Sequence, residues 1–290
     1  VLFRSMSFVI PIYSWWNGPF YSVGLKIYDM MAGDLGLGKS QWLSKKQTTD
    51  MIQNVNQDEL RGGVVYYDGQ FDDARMAISL ALTADSLGAS LLNYAEVIRI
   101  KKQNGLVSGV TFQDAVSGED FEISASVVIN ATGVFSDAIM AMDDPKAKPR
   151  ITPSQGIHLV LDRTFLKGNH AIMIPQTSDG RVLFAVPWHD HVILGTTDTL
   201  IEAPLSEPEA LDQEIDFVLN NAAQYMHKKP TREDIKSVFA GLRPLAASAV
   251  KEGKTKEISR HHKVHVSTSG LVSVLGGKWT TYRKMAEDTL

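Results

Sequence analysis

The run Ser126-Val127-Val128-Ile129-Asn130-Ala131-Thr132-Gly133 carries no charge, is rich in β-branched residues and ends in a glycine turn. A strand with no charge on either face suits the middle of a parallel sheet, where ligands bind beyond the carboxyl ends of the strands. The residues that follow, Ser136 to Met142, have the spacing of a short helix. Strand, glycine turn and helix in this order restrict the chain to an α/β architecture with a ligand site near Gly133.

The rest of the pattern adds two structural layers. Ser90 to Tyr94, Val97 to Lys101, Val107 to Gln113 and Glu119 to Ile123 alternate as strands do, with Asn104-Gly105 and Ser117-Gly118 as hairpin turns, so a small β-meander is predicted. His158 to Leu161, Ala171 to Ile174, Val182 to Pro187 and Val192 to Gly195 predict a second, mostly antiparallel sheet, to which Ile235 to Leu242 returns. Helices are predicted over Val23 to Met31, after the capping box Ser44-Lys45-Lys46-Gln47, from Asp72 and Asp73 to Leu87, and from Ser206 to about Tyr225.

Composition narrows the function. The 290 residues are 44% hydrophobic and 21% charged, which is the balance of a globular protein. A net charge of −4 without any block of like charge argues against a nucleic-acid surface. The absence of cysteine excludes disulfides, thiolate metal sites and cysteine nucleophiles. His189, His191 and His265 lack metal-ligand spacing, so no metal is expected. From Ser5 to Leu25 no residue is charged, yet Pro11, Gly18 and Pro19 break the helix that crossing a bilayer would need. A buried cap segment, or an interfacial surface built on Trp15, Trp16 and Phe20, fits better. Both ends look cut: Met6 is the first plausible start, and the chain stops at Leu290 inside a helical pattern with no stop signal.

Gly33-Asp34-Leu35-Gly36-Leu37-Gly38-Lys39-Ser40 matches the phosphate-binding loop of nucleotide hydrolases letter for letter. That loop must follow a buried strand and open a helix. Here a helical pattern precedes it, and the next helix starts only after Ser44. A P-loop NTPase is therefore the weak alternative.

Near the C-terminus, Leu275-Gly276-Gly277-Lys278-Trp279-Thr280-Thr281-Tyr282-Arg283 combines two glycines with hydroxyls and cations. Glycine lets main-chain N–H groups approach a flat or anionic ligand closely, and a helix beginning at Thr280 or Thr281 would point its positive end there. A turn followed by a basic surface helix accounts for the segment equally well when it is taken alone.

Five segments occur in one collinear order: Tyr67-Asp68-Gly69-Gln70-Phe71-Asp72-Asp73-Ala74-Arg75, Asn130-Ala131-Thr132-Gly133, Gly195-Thr196-Thr197-Asp198, Gly241-Leu242-Arg243-Pro244-Leu245 and the glycine turn at Gly276. In that combination, from about Pro11 to the C-terminus, the sequence resembles the FAD-dependent glycerol-3-phosphate dehydrogenases. The resemblance implies an incomplete, Rossmann-like FAD-binding domain with a β-meander, plus a mixed-sheet substrate domain, in an amino-acid-oxidase-like flavoprotein architecture. Residues 62–150 and 266–290 would form the FAD-binding domain, and 6–61 and 151–265 the substrate or cap domain. The family's N-terminal Gly-x-Gly-x-x-Gly turn, which holds the ADP half of FAD, is not among these residues.

The resemblance further implies oxidation of sn-glycerol 3-phosphate to dihydroxyacetone phosphate, with electrons passed from FAD to a quinone, in the cytoplasm and peripherally on the inner membrane face. It places Arg243 near the substrate hydroxyl, Lys278 beside the flavin N5 or the substrate oxygen, and His158 on the substrate face as a proton acceptor. Arg260 would clamp the phosphate and Thr197 would order the substrate cap. Val97 would offer backbone to the adenine, Ala131, Thr132 and Gly133 would pass the diphosphate or ribityl region, and Gly276, Gly277 and Thr280 would lie along the ring. From the residues alone, plainer roles stay open: a strand-end arginine for Arg243, a solvated lysine for Lys278, a core histidine for His158, a hairpin-surface arginine for Arg260 and an ordinary turn for Thr197. The rival readings are a related flavoenzyme acting on small amino or 2-hydroxy acids and a non-catalytic remnant.

Overall fold

The computed structural model describes residues 3–246 and 261–290. The chain divides into two compact units: residues 1–89, 157–197 and 209–240 form the first, and residues 90–156, 198–208 and 241–290 the second.

The first unit is built on a large, mostly antiparallel sheet. Strand β1 (Phe3–Ile12) pairs antiparallel with β3 (Gly62–Phe71) along its whole length and parallel with β9 (Ala171–Ile174). The sheet continues from β9 through β10 (Leu183–Trp188) and β11 (His191–Gly195) to β8 (Ile151–Asp162), while β2 (Gln41–Ser44) closes the far edge beside β3. Strands β12 (Thr199–Leu200) and β13 (Ile235–Ala246) also pair with β8. The period-2 pattern of β8 sends Ile157, Leu159 and Leu161 into the core, fully buried, and leaves His158 and Val160 on the other face. That core is closed by α2 (Lys45–Met51) and α5 (Asp212–Tyr225), whose Val218 and Ala222 are fully buried. On the opposite face, Phe8, Ile10, Ile12, Val64 and Tyr66 form a smaller cluster against which Tyr21 and Leu25 of α1 (Asn17–Ala32) pack.

The uncharged start is thus a central strand followed by a surface helix. No helix among the described residues is long and apolar enough to cross a membrane. The P-loop match also fails on structure: Gly33–Leu35 is a 3-10 turn continuing from α1, and Ser40 donates from both N and Oγ to Asp29 Oδ2. A helix rather than a strand leads into the glycines, so their N–H groups are not presented from a strand end to a phosphate.

The second unit contains the predicted meander, β4 (Ala95–Gln103), β5 (Leu106–Asp114) and β6 (Asp120–Ser124), with Asn104 and Gly105 in left-handed conformations at the first turn. A second three-stranded sheet has the order β14 (Lys263–Val266), β15 (Val272–Leu275), β7 (Ile129–Asn130), with β15 and β7 parallel. Helices α4 (Ser136–Asp143) and α6 (Tyr282–Thr289) follow the two glycine turns.

Three local expectations shift. Ser90 to Tyr94 is irregular, with Leu91 and Leu92 exposed and Tyr94 at φ +54°, a conformation that interrupts an extended run. Only Ile129–Asn130 of the charge-free run ladders with β15. Helix α5 begins at Asp212 rather than Ser206, because Glu214 accepts from both the Leu211 N–H and the buried Thr197 hydroxyl, and this interior contact outweighs the local Ser206 box. The unit boundary also departs from the 62–150 assignment: β3 and α3 (Asp73–Ser86) belong with the first unit, because β3 pairs with β1 over ten residues.

Asp143 ties the second unit together. Its buried carboxylate accepts from Lys102 Nζ of β4 at 2.8 Å and from Ser269 Oγ at 2.5 Å. Burial alone would raise its pKa, but the hydrogen bonds from Lys102, Ser269 and Ser267 and the charge of Lys102 outweigh this and hold the carboxyl below its ordinary value. A depressed folded-state pKa gives stability that is fully present above the unfolded value, about 3.9, and is lost as pH falls through the folded one. Asp143→Asn is therefore expected to lower the urea midpoint at pH 7 and to flatten its fall below about pH 4. An unchanged acid limb in the variant would show that this carboxylate does not carry the linkage.

Candidate functional site

Two parallel strand ends define the first candidate cavity. Strands β7 and β15 lie side by side, and each runs at its carboxyl end into a glycine turn: Gly133 at φ +60° after β7, and Gly276 and Gly277 at +72° and +87° after β15. These φ values lie in the left-handed region that favours glycine. Asn130 fixes the first turn. It is buried, donates from Nδ2 to Ser136 O at 3.0 Å and to Ser273 Oγ at 3.2 Å, and accepts from Thr132 Oγ1 at 2.8 Å. The second turn is closed by Thr281, whose hydroxyl donates to Lys278 O at 3.0 Å.

Between these turns lies a cavity of about 550 Å³, walled by Ile129, Val274, Pro244, Trp279, Met285 and Ala286, with Ala131, Gly133, Gly276, Gly277 and Lys278 on its rim. The volume is in the range of small-molecule and cofactor sites. Nothing lies within 4 Å of the place where a Cβ on Gly133 would stand, so the turn opens onto free space. Apolar walls, a backbone rim and one cation suit a flat heteroaromatic ring that takes up negative charge, and the residues present therefore fit a flavin. Of the expected cofactor residues, Ala131, Gly133, Gly276 and Gly277 meet here together with Lys278. Thr132 is turned into the Asn130 bond, Thr280 is exposed in the 3-10 turn Trp279–Thr281, and Val97 lies on β4, outside this lining. Pro244, Tyr282 and Met285 also line the cavity, a role their sequence spacing did not announce.

Arg243 stands one residue before the lining Pro244. Its Nη1 lies 3.7 Å from Oδ1 of Asp198, whose side chain is only 8% exposed and also accepts from Ser154 Oγ. The Arg243 and Asp198 side chains form an ion pair. Arg260 lies outside the described residues.

The second cavity belongs to the first unit and also measures about 550 Å³. It opens on the face of β8 opposite the core and is bordered by His158, Phe239, Trp188, His191, Gln70 and Asp72. Asp72 caps α3 by accepting from Arg75 N, and burial together with the Asp72 charge raises the pKa of Asp73 beside it. Thr197 lies instead in the interior, where its hydroxyl accepts from Ile157 N at 3.1 Å and donates to Glu214 Oε1 at 2.7 Å. Both hydroxyl functions are committed to protein groups, so it braces β8 against α5 rather than offering a ligand contact. Among the described residues, no group of carboxylates and histidines could hold a metal.

Residues 16–283 match the family model described as FAD dependent oxidoreductase. The chain is 41% identical to the mitochondrial glycerol-3-phosphate dehydrogenase of Mus musculus over 97% of its own length and 40% of that protein. It thus spans about two fifths of the relatives it matches. The glycerol-3-phosphate dehydrogenase of Bacillus halodurans, solved in complex with FAD, superposes with a TM-score of 0.80 at 30% identity, covering 99% of this chain and 51% of that one. Glycine oxidase from Bacillus cereus shares the fold, with a TM-score of 0.68 at 16% identity over 100% of this chain and 71% of that one. With cavity, glycine turns and sequence match in agreement, the chain belongs to the FAD-dependent oxidoreductase family.

Proposed function

We propose that this chain is part of a glycerol-3-phosphate dehydrogenase that oxidises the secondary alcohol of glycerol 3-phosphate to dihydroxyacetone phosphate. The cavity between the Gly133 and Gly276-Gly277 turns is the observation that carries this reading, together with the 41% identity to a protein of that name. Bound there, FAD supplies the acceptor for the hydride from the carbinol carbon. Ala131, Gly133, Gly276 and Gly277 would hold it by backbone. Lys278, on the rim, would place a positive charge beside the ring. Loss of hydride and of the hydroxyl proton together turns the alcohol into a ketone. His158 takes the proton, and Arg243, paired with Asp198, stabilises the oxygen as its proton leaves. Arg260 is assigned the phosphate dianion, because guanidinium matches that oxyanion in charge and shape.

The phosphate requirement tests the substrate class. With an artificial electron acceptor, glycerol 3-phosphate should be turned over, and glycerol, lactate and proline should not. Turnover of lactate or proline in preference would favour the rival amino-acid or 2-hydroxy-acid reading.

We assign the electron acceptor to the membrane, as a quinone. Helix α1 supports this assignment: Trp15, Trp16, Phe20, Val23, Met30 and Met31 are all more than half exposed, and the stretch bears only Lys26 and Asp29 as charges. The Trp15 and Trp16 rings stack at 3.6 Å. Tryptophans beside an apolar helix face match the headgroup boundary of a bilayer. Replacing Trp15, Trp16 and Phe20 by serine should sharply reduce co-sedimentation with phospholipid vesicles while leaving turnover with a soluble acceptor unchanged. Equal vesicle binding by the triple variant would remove α1 from the contact.

A further inference from the structure

The side chain proposed as proton acceptor is held from two neighbouring strands. In the β8–β11 ladder His158 stands opposite Gly195. A Cβ at Gly195 would come within 2.5 Å of His158 Cδ2, 3.0 Å of its Cγ and 2.7 Å of the Ile157 carbonyl oxygen. The imidazole therefore occupies the space that any other residue at 195 would fill. From β13, the Phe239 ring stacks on the imidazole with centroids 5.0 Å apart and planes 18° from parallel. Phe239 is nevertheless 47% exposed and borders the same cavity as His158. A half-exposed phenyl ring adds little to the core, whereas its place on the imidazole face fixes χ1 and χ2 of the histidine.

We infer that Phe239 and Gly195 are positioning residues: Gly195 leaves the slot and Phe239 closes it, so that the His158 imidazole meets the substrate hydroxyl in one orientation. This rests on the reading of His158 as the proton acceptor. A general base must sit within hydrogen-bond reach of the proton it removes, and a ring free to swing among rotamers spends less time there.

The test uses Phe239→Leu, Phe239→Tyr and His158→Asn. A stacked phenyl ring shields the protons of its neighbour, so in the chain without added cofactor Phe239→Leu should move the His158 Cδ2–H and Cε1–H resonances downfield, and Phe239→Tyr should leave them near their original positions. In the FAD-loaded protein Phe239→Leu should lower kcat roughly ten- to a hundredfold, the scale of a misplaced catalytic group, with KM little changed, and Phe239→Tyr should restore it. In a His158→Asn background the Phe239→Leu change should add nothing further. Unmoved ring protons, or an equal loss of kcat with and without His158, would overturn the positioning role. If His158→Asn itself leaves kcat intact while the ring protons still move, the proton-acceptor reading has failed and the stacking geometry stands without a catalytic purpose. Gly195→Ala serves as a second probe of the ring protons, and the Phe239 variants carry the conclusion if that substitution disturbs the strand.

Discussion

Lys278→Ala is expected to lower the rate of flavin reduction by orders of magnitude, and Lys39→Ala to leave it unchanged. The first residue stands on the rim of the cavity, at the end of the Gly276-Gly277 turn, where on the proposed reading its charge would offset the negative charge that a flavin acquires on reduction. Removing one preorganised group of this kind costs about 2.7–4 kcal/mol of transition-state stabilisation. Lys39 follows the glycines of the P-loop match, but that stretch is a connection after α1 in which Ser40 is tied back to Asp29. The pair of variants thus separates two glycine-lysine motifs that look alike on paper. Stopped-flow reduction of both, beside thermal shifts with ATP, measures it: ATP stabilisation that disappears with Lys39 would reverse the assignment.

The second large effect is at Arg243. Arg243→Lys is expected to lower kcat by about tenfold or more, with a smaller change in KM. A lysine keeps the charge but loses the planar fork that pairs with Asp198, and a group that meets the developing alkoxide acts chiefly in the transition state. Asp198→Asn should reproduce part of the loss by releasing the guanidinium. Steady-state kinetics in which both variants alter KM alone would mean that Arg243 only binds substrate.

Much of this was legible in the residues because local chemistry carried it. The Ser44 capping box, the turns at Asn104-Gly105 and Ser117-Gly118, and the strand through His158 to Leu161 each state their structure within a few positions, and all appear as read. The glycine turns at 133 and 276–277 were recognisable singly. Their meeting at one cavity depends on the parallel pairing of β7 with β15, residues more than 140 positions apart, which no local pattern encodes. Thr197 shows the opposite case. Its place in a Gly-Thr-Thr-Asp turn left an ordering role in the substrate cap or an ordinary turn open, and only the fold reveals Glu214 and the Ile157 N–H as its partners. Likewise Phe239 reads as one more apolar strand residue until its ring is seen against His158. The start of α5 was misplaced because a buried carboxylate, rather than the nearest serine, decides where that helix begins.

The most direct measurement is anaerobic mixing of the FAD-loaded protein with one equivalent of glycerol 3-phosphate. The oxidised flavin absorbance should bleach in a single turnover, dihydroxyacetone phosphate should form in equal amount, and lactate or proline at the same concentration should leave the spectrum unchanged. A flavin that stays oxidised with glycerol 3-phosphate but bleaches with either acid would contradict the proposed function.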